Sequence, residues 1–323
     1  MARLLRHSWD SSGNYEKIYT VAGLGGIVSE GIQLSASETR KIQRNSRKET
    51  ILSALTVVAF GFLATLLVYF WIYNLQAQGR SPAALSMAKD MDMSDMHKFW
   101  SFPILQACGL TGFVFAYFSI LLGFFQQISS AISRFPLSYQ QLNRYHRHIS
   151  LLVVGLVVVH IVATALDAMG DSWKTVLIPG QWAYQGWPEG VFGYNTGIFA
   201  SYLLISLAPT FYIGQRVGKT KWHFFHRFVL VFYILSFWHA MILGQDIAYY
   251  SWIRPIMWLS QVPLLLLFMK RLQRSINQGE KSASVQQRLA KIICKGLFAT
   301  SAVAIIVIFI LVVTGRSGFI ATV

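Results

Sequence analysis

Four histidines stand in apolar stretches of the sequence, in two pairs of similar spacing. His146 and His160 are fourteen residues apart, with Ile149–Val159 almost wholly apolar between them, and His226 and His239 are thirteen residues apart. A histidine inside a hydrophobic span is energetically costly and usually functional. Its neutral imidazole is also the commonest metal ligand among side chains. Two such pairs on two helices predict two metal centres at different depths in a membrane.

Helix geometry fits the first pair well and the second less well. Fourteen residues rise about 21 Å and end within about 40° of a whole number of turns, so His146 and His160 leave one face of a helix. Thirteen residues fall about 140° short of whole turns, so His226 and His239 require a local bulge or different side-chain reach.

Two further histidines, His148 and His223, stand beside the inner members of these pairs. A pair of His148 and His160 would be about 120° away from whole turns, and a pair of His223 and His239 about 160° away. We therefore predict that His148 and His223 lie at the membrane surface, near the cofactor's charged groups.

The chemistry of the four ligands favours haem over a metal held by side chains alone. Side-chain zinc and iron sites use three or four converging ligands, often with carboxylates. Within these stretches the sole carboxylate is Asp167, at one end. Two imidazoles on opposite sides of a flat haem suit electron transfer, and an apolar bundle supplies the pocket. Two haems are the prediction; histidines hydrogen-bonded to the backbone, or relaying protons in a transporter, are the alternatives.

The helices that must carry these histidines are visible as apolar runs. Of 323 residues, 54% are apolar and 13% charged, a composition typical of membrane proteins. Seven runs are long enough to cross roughly 30 Å of hydrocarbon. They predict an all-α membrane protein with seven spans, at about Ile51–Leu75, Phe102–Phe125, Ile149–Ala168, Val191–Ile213, Phe224–Leu243, Trp252–Met269 and Leu297–Thr314.

The same runs divide the chain into three predicted domains. Residues 1–50 form a basic cytoplasmic leader, in which we expect a loop at Gly23–Gly26 and a surface helix over Thr39–Glu49. Residues 51–270 form the six-span core. Residues 271–323 supply a basic cytoplasmic segment and the seventh span. Neither a flavin- nor a nicotinamide-binding module is expected in this chain, because no strand–glycine–helix unit is visible.

The net charge of +15 indicates orientation rather than nucleic-acid binding. All but six of the 28 lysines and arginines fall on one side of the predicted spans. Positive residues mark the cytoplasmic side, so the N-terminus is predicted inside and the C-terminus outside a bacterial cytoplasmic membrane. The third and fifth spans then run in the same direction. His146 and His226 become the inner pair, and His160 and His239 the outer pair.

Three residues near the histidines are further candidates for cofactor binding. Arg147 and Arg227 flank the inner pair and could bond haem propionates, although they also fit the general excess of positive charge inside. Phe232 lies nearly midway between the histidines of the fifth span. It is predicted either to lie between the two haems or to be ordinary core packing.

Two loops on the predicted outer side carry other chemistry. The first contains methionines and a histidine that could hold Cu(I), or else form a flexible amphipathic loop: Met87, Met91, Met93, Met96 and His97. The second carries aromatics suited to an interfacial belt or to covering the outer site: Trp173, Trp182, Tyr184 and Trp187.

The histidine pattern resembles the ferric reductase-like transmembrane domain of ferric reductases, NADPH oxidases and the haem-bearing subunit of bacterial methionine sulfoxide reductase systems. NADPH oxidases show the same unequal spacing of fourteen and thirteen. The resemblance covers about residues 50–270 and implies a six-span haem-binding helical bundle, to which the seventh C-terminal span is added. It also implies two b-type haems, an inner one held by His146 and His226 and an outer one held by His160 and His239. An aromatic residue often lies between the haems in this family, where Phe232 matches. Thr164 stands where oxidases carry a further histidine, which argues against dedicated superoxide production.

The predicted function is a membrane haem oxidoreductase that passes electrons from a cytoplasmic or membrane donor to an external metal ion, oxygen, quinone or protein. A separate flavoprotein reductase or a quinol is the expected electron donor. Membrane lipid and a larger redox complex are the other expected partners. No residue is assigned a catalytic acid–base role. A non-catalytic haem-bearing subunit of such a complex is the alternative, and no nucleic-acid partner is expected.

Overall fold

The structure is a computed structural model. It describes residues 3–9, 15–20, 27–31, 36–78, 100–129, 138–166, 172–181, 188–208, 219–244, 247, 252–277 and 285–315. Its helices in chain order are α1 (Ala36–Ala77), α2 (Ser101–Ser129), α3 (Tyr139–Ala165), α4 (Trp173–Leu177), α5 (Pro188–Leu207), α6 (Lys219–His226), α7 (Val229–Leu243), α8 (Ile253–Asn277) and α9 (Val285–Val313).

Seven stretches of helix are long and apolar enough to cross a membrane, as the sequence predicts. They are Arg47–Ala77, Ser101–Gln126, Tyr139–Ala165, Gly190–Leu207, Lys221–Leu243, Ile253–Asn277 and Arg288–Val313. In hydrocarbon every backbone group must find its partner inside the segment, which is why such apolar runs become helices. The membrane part of the protein is therefore all α-helical. The surface helix predicted over Thr39–Glu49 is the first part of α1.

The third span begins about ten residues earlier than the predicted start at Ile149, because its first turn carries a capping signal. The Ser138 side chain accepts a hydrogen bond from the backbone N–H of Gln141, and the Gln141 side chain accepts one from the backbone of Ser138. This reciprocal pair satisfies N–H groups that a helix start leaves without partners. As a result, His146 and His160 lie on one uninterrupted helix, α3.

The basic leader contains strands that the sequence reading did not anticipate. Strands β1 (Arg3–Trp9), β2 (Tyr15–Thr20) and β3 (Ile27–Gly31) form an antiparallel sheet in sequential order. The register between β1 and β2 shifts between Leu4 and Arg6. Residues 1–55 form one compact unit and residues 56–323 a second. The predicted loop at Gly23–Gly26 lies outside the described residues. The sheet is an addition to the predicted all-α membrane fold, and the three-domain division remains a prediction.

Each helix that carries a histidine pair is backed by another helix. Helix α2 packs along α3, and α5 packs along α7, while α2 also touches α7 and α8. The buried core between these helices includes Phe115, Val153, Phe232, Tyr233 and Leu264. The seventh span, α9, packs mainly on α8. The backing helices α2 and α5 are therefore the ones that can offer groups to the histidines.

Candidate haem-binding site

The structure brings the four histidines together in the two predicted pairs. The ring centres of His146 and His226 lie 6.0 Å apart, and those of His160 and His239 lie 6.1 Å apart. Within each pair the ring planes are nearly perpendicular, at 84° and 87°. The fourteen residues between His146 and His160 place the two pairs about 21 Å apart along α3.

The rings of each pair are farther apart than a direct hydrogen bond between them would place them. Two imidazoles joined by an N–H···N bond of about 2.9 Å would have centres about 5.2 Å apart. Two imidazoles on opposite sides of one metal ion, with metal–nitrogen bonds of about 2.0 Å, would have centres about 6.3 Å apart. The observed distances of 6.0 and 6.1 Å agree with the second arrangement.

Three of the four rings donate a hydrogen bond from Nδ1 to a backbone carbonyl of the backing helix. Nδ1 of His146 lies 2.8 Å from the Ser119 carbonyl oxygen, and Nδ1 of His160 lies 2.7 Å from that of Leu105. Nδ1 of His239 lies 2.9 Å from the carbonyl oxygen of Gly193. A carbonyl only accepts, so Nδ1 carries the proton and Nε2 keeps its lone pair. This partner and tautomer are typical of metal-binding histidines.

The fourth histidine is held differently, at a tightened point in the fifth span. Trp222, one turn earlier in α6, stacks on the His226 ring at 5.0 Å and 15°. Immediately afterwards the chain makes i→i−3 bonds from Arg227 to Phe224, from Phe228 to Phe225 and from Leu230 to Arg227. Each residue in such a turn rotates about 20° more than in an α-helix. This tightening recovers roughly half of the missing 140° between His226 and His239.

Hydroxyl groups add a second set of contacts around the α3 histidines. Ser150 and Thr164, each four residues after a histidine, donate to the carbonyls of His146 and His160 at 2.7 Å. The Ser119 hydroxyl lies 2.7 Å from the Ser150 hydroxyl and 3.4 Å from Nδ1 of His146. The Thr164 hydroxyl is thus engaged with the backbone of its own helix. The inner pair has the more polar surroundings.

Positive charge gathers at the inner pair, and one of its members escaped the sequence reading. Arg147 is half-buried on α3, whereas Arg227 is exposed at the tightened turn. Arg271 of α8 lies within electrostatic range of both Arg227 and His226. Arg271 is forty-five residues from His226 along the chain, so the sequence did not distinguish it from the other basic residues. The cluster suits a bound anion, such as a haem propionate.

Aromatic side chains fill the space between the two depths. Phe232 is buried, at 5% exposure, in the core between the helices of the pairs. Its neighbour Tyr233 stacks on Phe113 at 5.4 Å and donates a hydrogen bond to Gln261 of α8 at 3.0 Å. The sequence singled out Phe232 alone. Whether Phe232 contacts a cofactor remains a prediction.

Other predicted residues contribute less. His223 packs against Trp222, with ring centres 4.7 Å apart, and Trp173 begins the short helix α4 with its side chain half exposed. The methionine-rich loop at residues 87–97, Asp167 and the aromatics at 182, 184 and 187 lie outside the described residues.

The described residues fit haem better than a metal held by side chains. No group of three or more His, Cys, Asp or Glu converges among them. Each pair therefore offers two imidazoles and nothing else of that kind, together with apolar walls. If haem is the bound group, these imidazoles would hold its iron.

Comparison with known families identifies the helical core. A family model described as "Ferric reductase like transmembrane component" matches residues 108–237. The match contains His146, His160 and His226 and ends two residues before His239. Searches of curated proteins and of solved structures gave no significant match. With its seven apolar helices, the chain is an integral multi-pass membrane protein, and residues 108–237 of its helical core are similar to the ferric reductase-like transmembrane family.

Proposed function

We propose that this chain conducts electrons across the membrane between two haem centres, the inner held by His146 and His226 and the outer by His160 and His239. The observation that carries the proposal is the pairing itself. The ring centres are 6.0 Å apart within the inner pair and 6.1 Å apart within the outer pair. Three of the four Nδ1 atoms donate hydrogen bonds to backbone carbonyls. The similarity of residues 108–237 to the ferric reductase-like family supports oxidoreductase chemistry of this kind.

The residues around each pair hold the histidine rings in place, and the charge that moves between the two sites is the electron. Haem, when bound, supplies an iron that cycles between two oxidation states. The backbone carbonyls of α2 and α5 hold the imidazole planes, which raises the basicity of Nε2. The side chains of Phe232 and Tyr233 are buried in the core between these helices. Electron transfer between two haems requires no general acid or base.

The positive cluster at the inner pair indicates where reducing equivalents enter. Arg147, Arg227 and Arg271 would neutralise the propionates of the inner haem and favour an anionic donor, such as a flavin nucleotide on a separate reductase. A quinol within the membrane is the alternative donor. The external acceptor, whether metal ion, oxygen, quinone or protein, is left open by this proposal.

Transfer across a sealed bilayer tests the proposed function. Liposomes containing the purified, haem-loaded protein and enclosed ferricyanide are mixed with external dithionite, and neither reagent crosses lipid readily. We expect the enclosed ferricyanide to bleach much faster than in protein-free liposomes. Equal rates in the two preparations, with the haems intact and reducible, would contradict the proposal and favour the non-catalytic subunit.

The predicted orientation has its own test. In a chain whose two cysteines are replaced by serine, Lys174→Cys and Arg288→Cys each introduce one exposed thiol, the first on the predicted outer side and the second on the predicted inner side. A membrane-impermeant maleimide added to intact cells with a permeable outer envelope should label the first variant and spare the second. In inside-out vesicles the pattern should reverse. The opposite pattern would reverse the assignment of inner and outer haem.

A further inference from the structure

The three carbonyls that accept the histidine Nδ1–H bonds share a feature of sequence. Each is followed, four residues later on the same helix, by glycine. The pairs of acceptor and glycine are Leu105 and Gly109, Ser119 and Gly123, and Gly193 and Gly197.

Helix geometry explains why the fourth residue matters. A helical carbonyl at position i accepts the N–H of residue i+4 and retains a second lone pair. Each Cα–Cβ bond tilts toward the helix N-terminus, so the side chain at i+4 lies over the turn that contains this carbonyl. Glycine at i+4 leaves the second lone pair open to a group from a neighbouring helix.

The spaces above these glycines are filled by the imidazole rings. A Cβ on Gly197 would lie 2.4 Å from Nδ1 of His239, and one on Gly109 would lie 3.0 Å from Nδ1 of His160. A Cβ on Gly123 would meet Cε1 of His146 at 3.4 Å, which is an ordinary van der Waals contact. The three positions thus form a series of decreasing crowding.

We propose that Gly109, Gly123 and Gly197 are positioning residues, which admit the imidazoles to carbonyls of the backing helices and thereby set the direction of Nε2. The proposal rests on the proposed function for the identity of what Nε2 binds. It adds that α2 and α5 belong to the site through their backbone, although neither carries a ligand side chain.

The register between α2 and α3 repeats the same contact of histidine, carbonyl and glycine at two positions. Gly109 and Gly123 are fourteen residues apart, as are His160 and His146. The two helices are antiparallel, so these equal intervals bring His160 to Gly109 and His146 to Gly123. One helix–helix contact therefore builds the same arrangement twice, at two depths.

Alanine variants of the three glycines test the proposal, with haem content and midpoint potential as readouts. We expect Gly197→Ala to lose the outer haem and so about half of the haem per chain. Gly109→Ala should keep both haems but shift the outer potential upward, because a longer bond to the Leu105 carbonyl makes Nε2 less basic. Gly123→Ala should keep both haems and give the smallest upward shift of the series, in the potential of the inner haem, because its Cβ would meet the His146 ring only at 3.4 Å.

Two other glycines serve as matched controls. A Cβ on Gly61 of α1 would lie 2.3 Å from the Leu152 side chain, so Gly61→Ala crowds the same bundle without touching a histidine. Gly296→Ala on α9 meets open space. Both variants are expected to retain two haems at unchanged potentials. Equal haem loss in Gly61→Ala and Gly197→Ala would overturn the proposal, because general crowding would then explain both.

The outcomes separate this inference from the proposed function. If the unmodified protein binds no haem, the proposed function fails. If the unmodified protein binds two haems, and Gly197→Ala and Gly109→Ala do so with unchanged potentials, the positioning role alone is refuted.

Discussion

Replacing His160 by alanine is expected to remove the outer haem and leave the inner one in place. His160 supplies half of a site whose other half is His239, 6.1 Å away between ring centres. Loss of a partner that merely orients a metal ligand costs about 10–100-fold in affinity, and loss of the ligand itself should exceed this. His239→Ala should give the same loss, because the two residues share one centre.

Haem per chain in the purified variants measures this prediction. Each variant should carry about half of the haem of the unmodified protein, and the double variant should carry no less than either single one. Val159→Ala is the matched control: its side chain is adjacent to His160 in sequence but 45% exposed. Retention of full haem content in either histidine variant would contradict the assigned outer pair.

Replacing His146 by alanine should abolish transfer across the bilayer while sparing the outer haem. The two pairs lie about 21 Å apart along α3, and electron tunnelling weakens exponentially over such distances. Without the inner centre, an electron from the cytoplasmic side would have to cover the whole distance to the outer centre in one step. In the ferricyanide assay we expect the rate to fall to that of protein-free liposomes.

The outer haem in this variant provides the internal check. It should still be reduced by dithionite added to detergent-solubilised protein, which shows that the site is intact and only the path is broken. Leu151→Ala, at an exposed position on the same helix, should transfer electrons at the unmodified rate. Undiminished bleaching by His146→Ala liposomes would mean that electrons cross by a route that bypasses this pair.

The features read correctly from the sequence are those that repeat along a single helix. Seven apolar runs predicted seven spans, and the interval between His146 and His160 predicted one face of one helix. Both depend only on hydropathy and on the rise and turn of a helix. The pairing of α3 with the fifth span followed from charge, because the positive-inside rule made the two helices parallel.

The features that were missed depend on how helices meet. The carbonyls of Leu105, Ser119 and Gly193 are backbone groups, and no side-chain pattern marks a carbonyl as an acceptor. Gly109 and Gly123 did carry a signal, since their interval of fourteen equals that of the histidines on the next span. The interval becomes meaningful only once α2 and α3 are known to pack side by side.

The fifth span shows a limit of ideal geometry. On an ideal helix, His226 and His239 miss a common face by about 140°. The sequence predicted this mismatch but not the place in the chain where the helix corrects it. The tightened turn at Arg227 and Phe228 follows from i→i−3 bonds that ideal helix parameters do not include. Arg271 approaches His226 from a helix more than forty residues away, a relation that depends on tertiary packing and not on local sequence. The strands of the leader were not predicted either.

The most direct test of two bis-imidazole haems is the absorption spectrum of the purified protein combined with haem quantification and low-temperature electron paramagnetic resonance. We predict two low-spin b-type haems per chain, with the strongly anisotropic ferric signals expected of nearly perpendicular imidazole planes, here 84° and 87°. A folded, haem-supplemented protein without b-type bands, or with high-spin haem alone, would contradict the account.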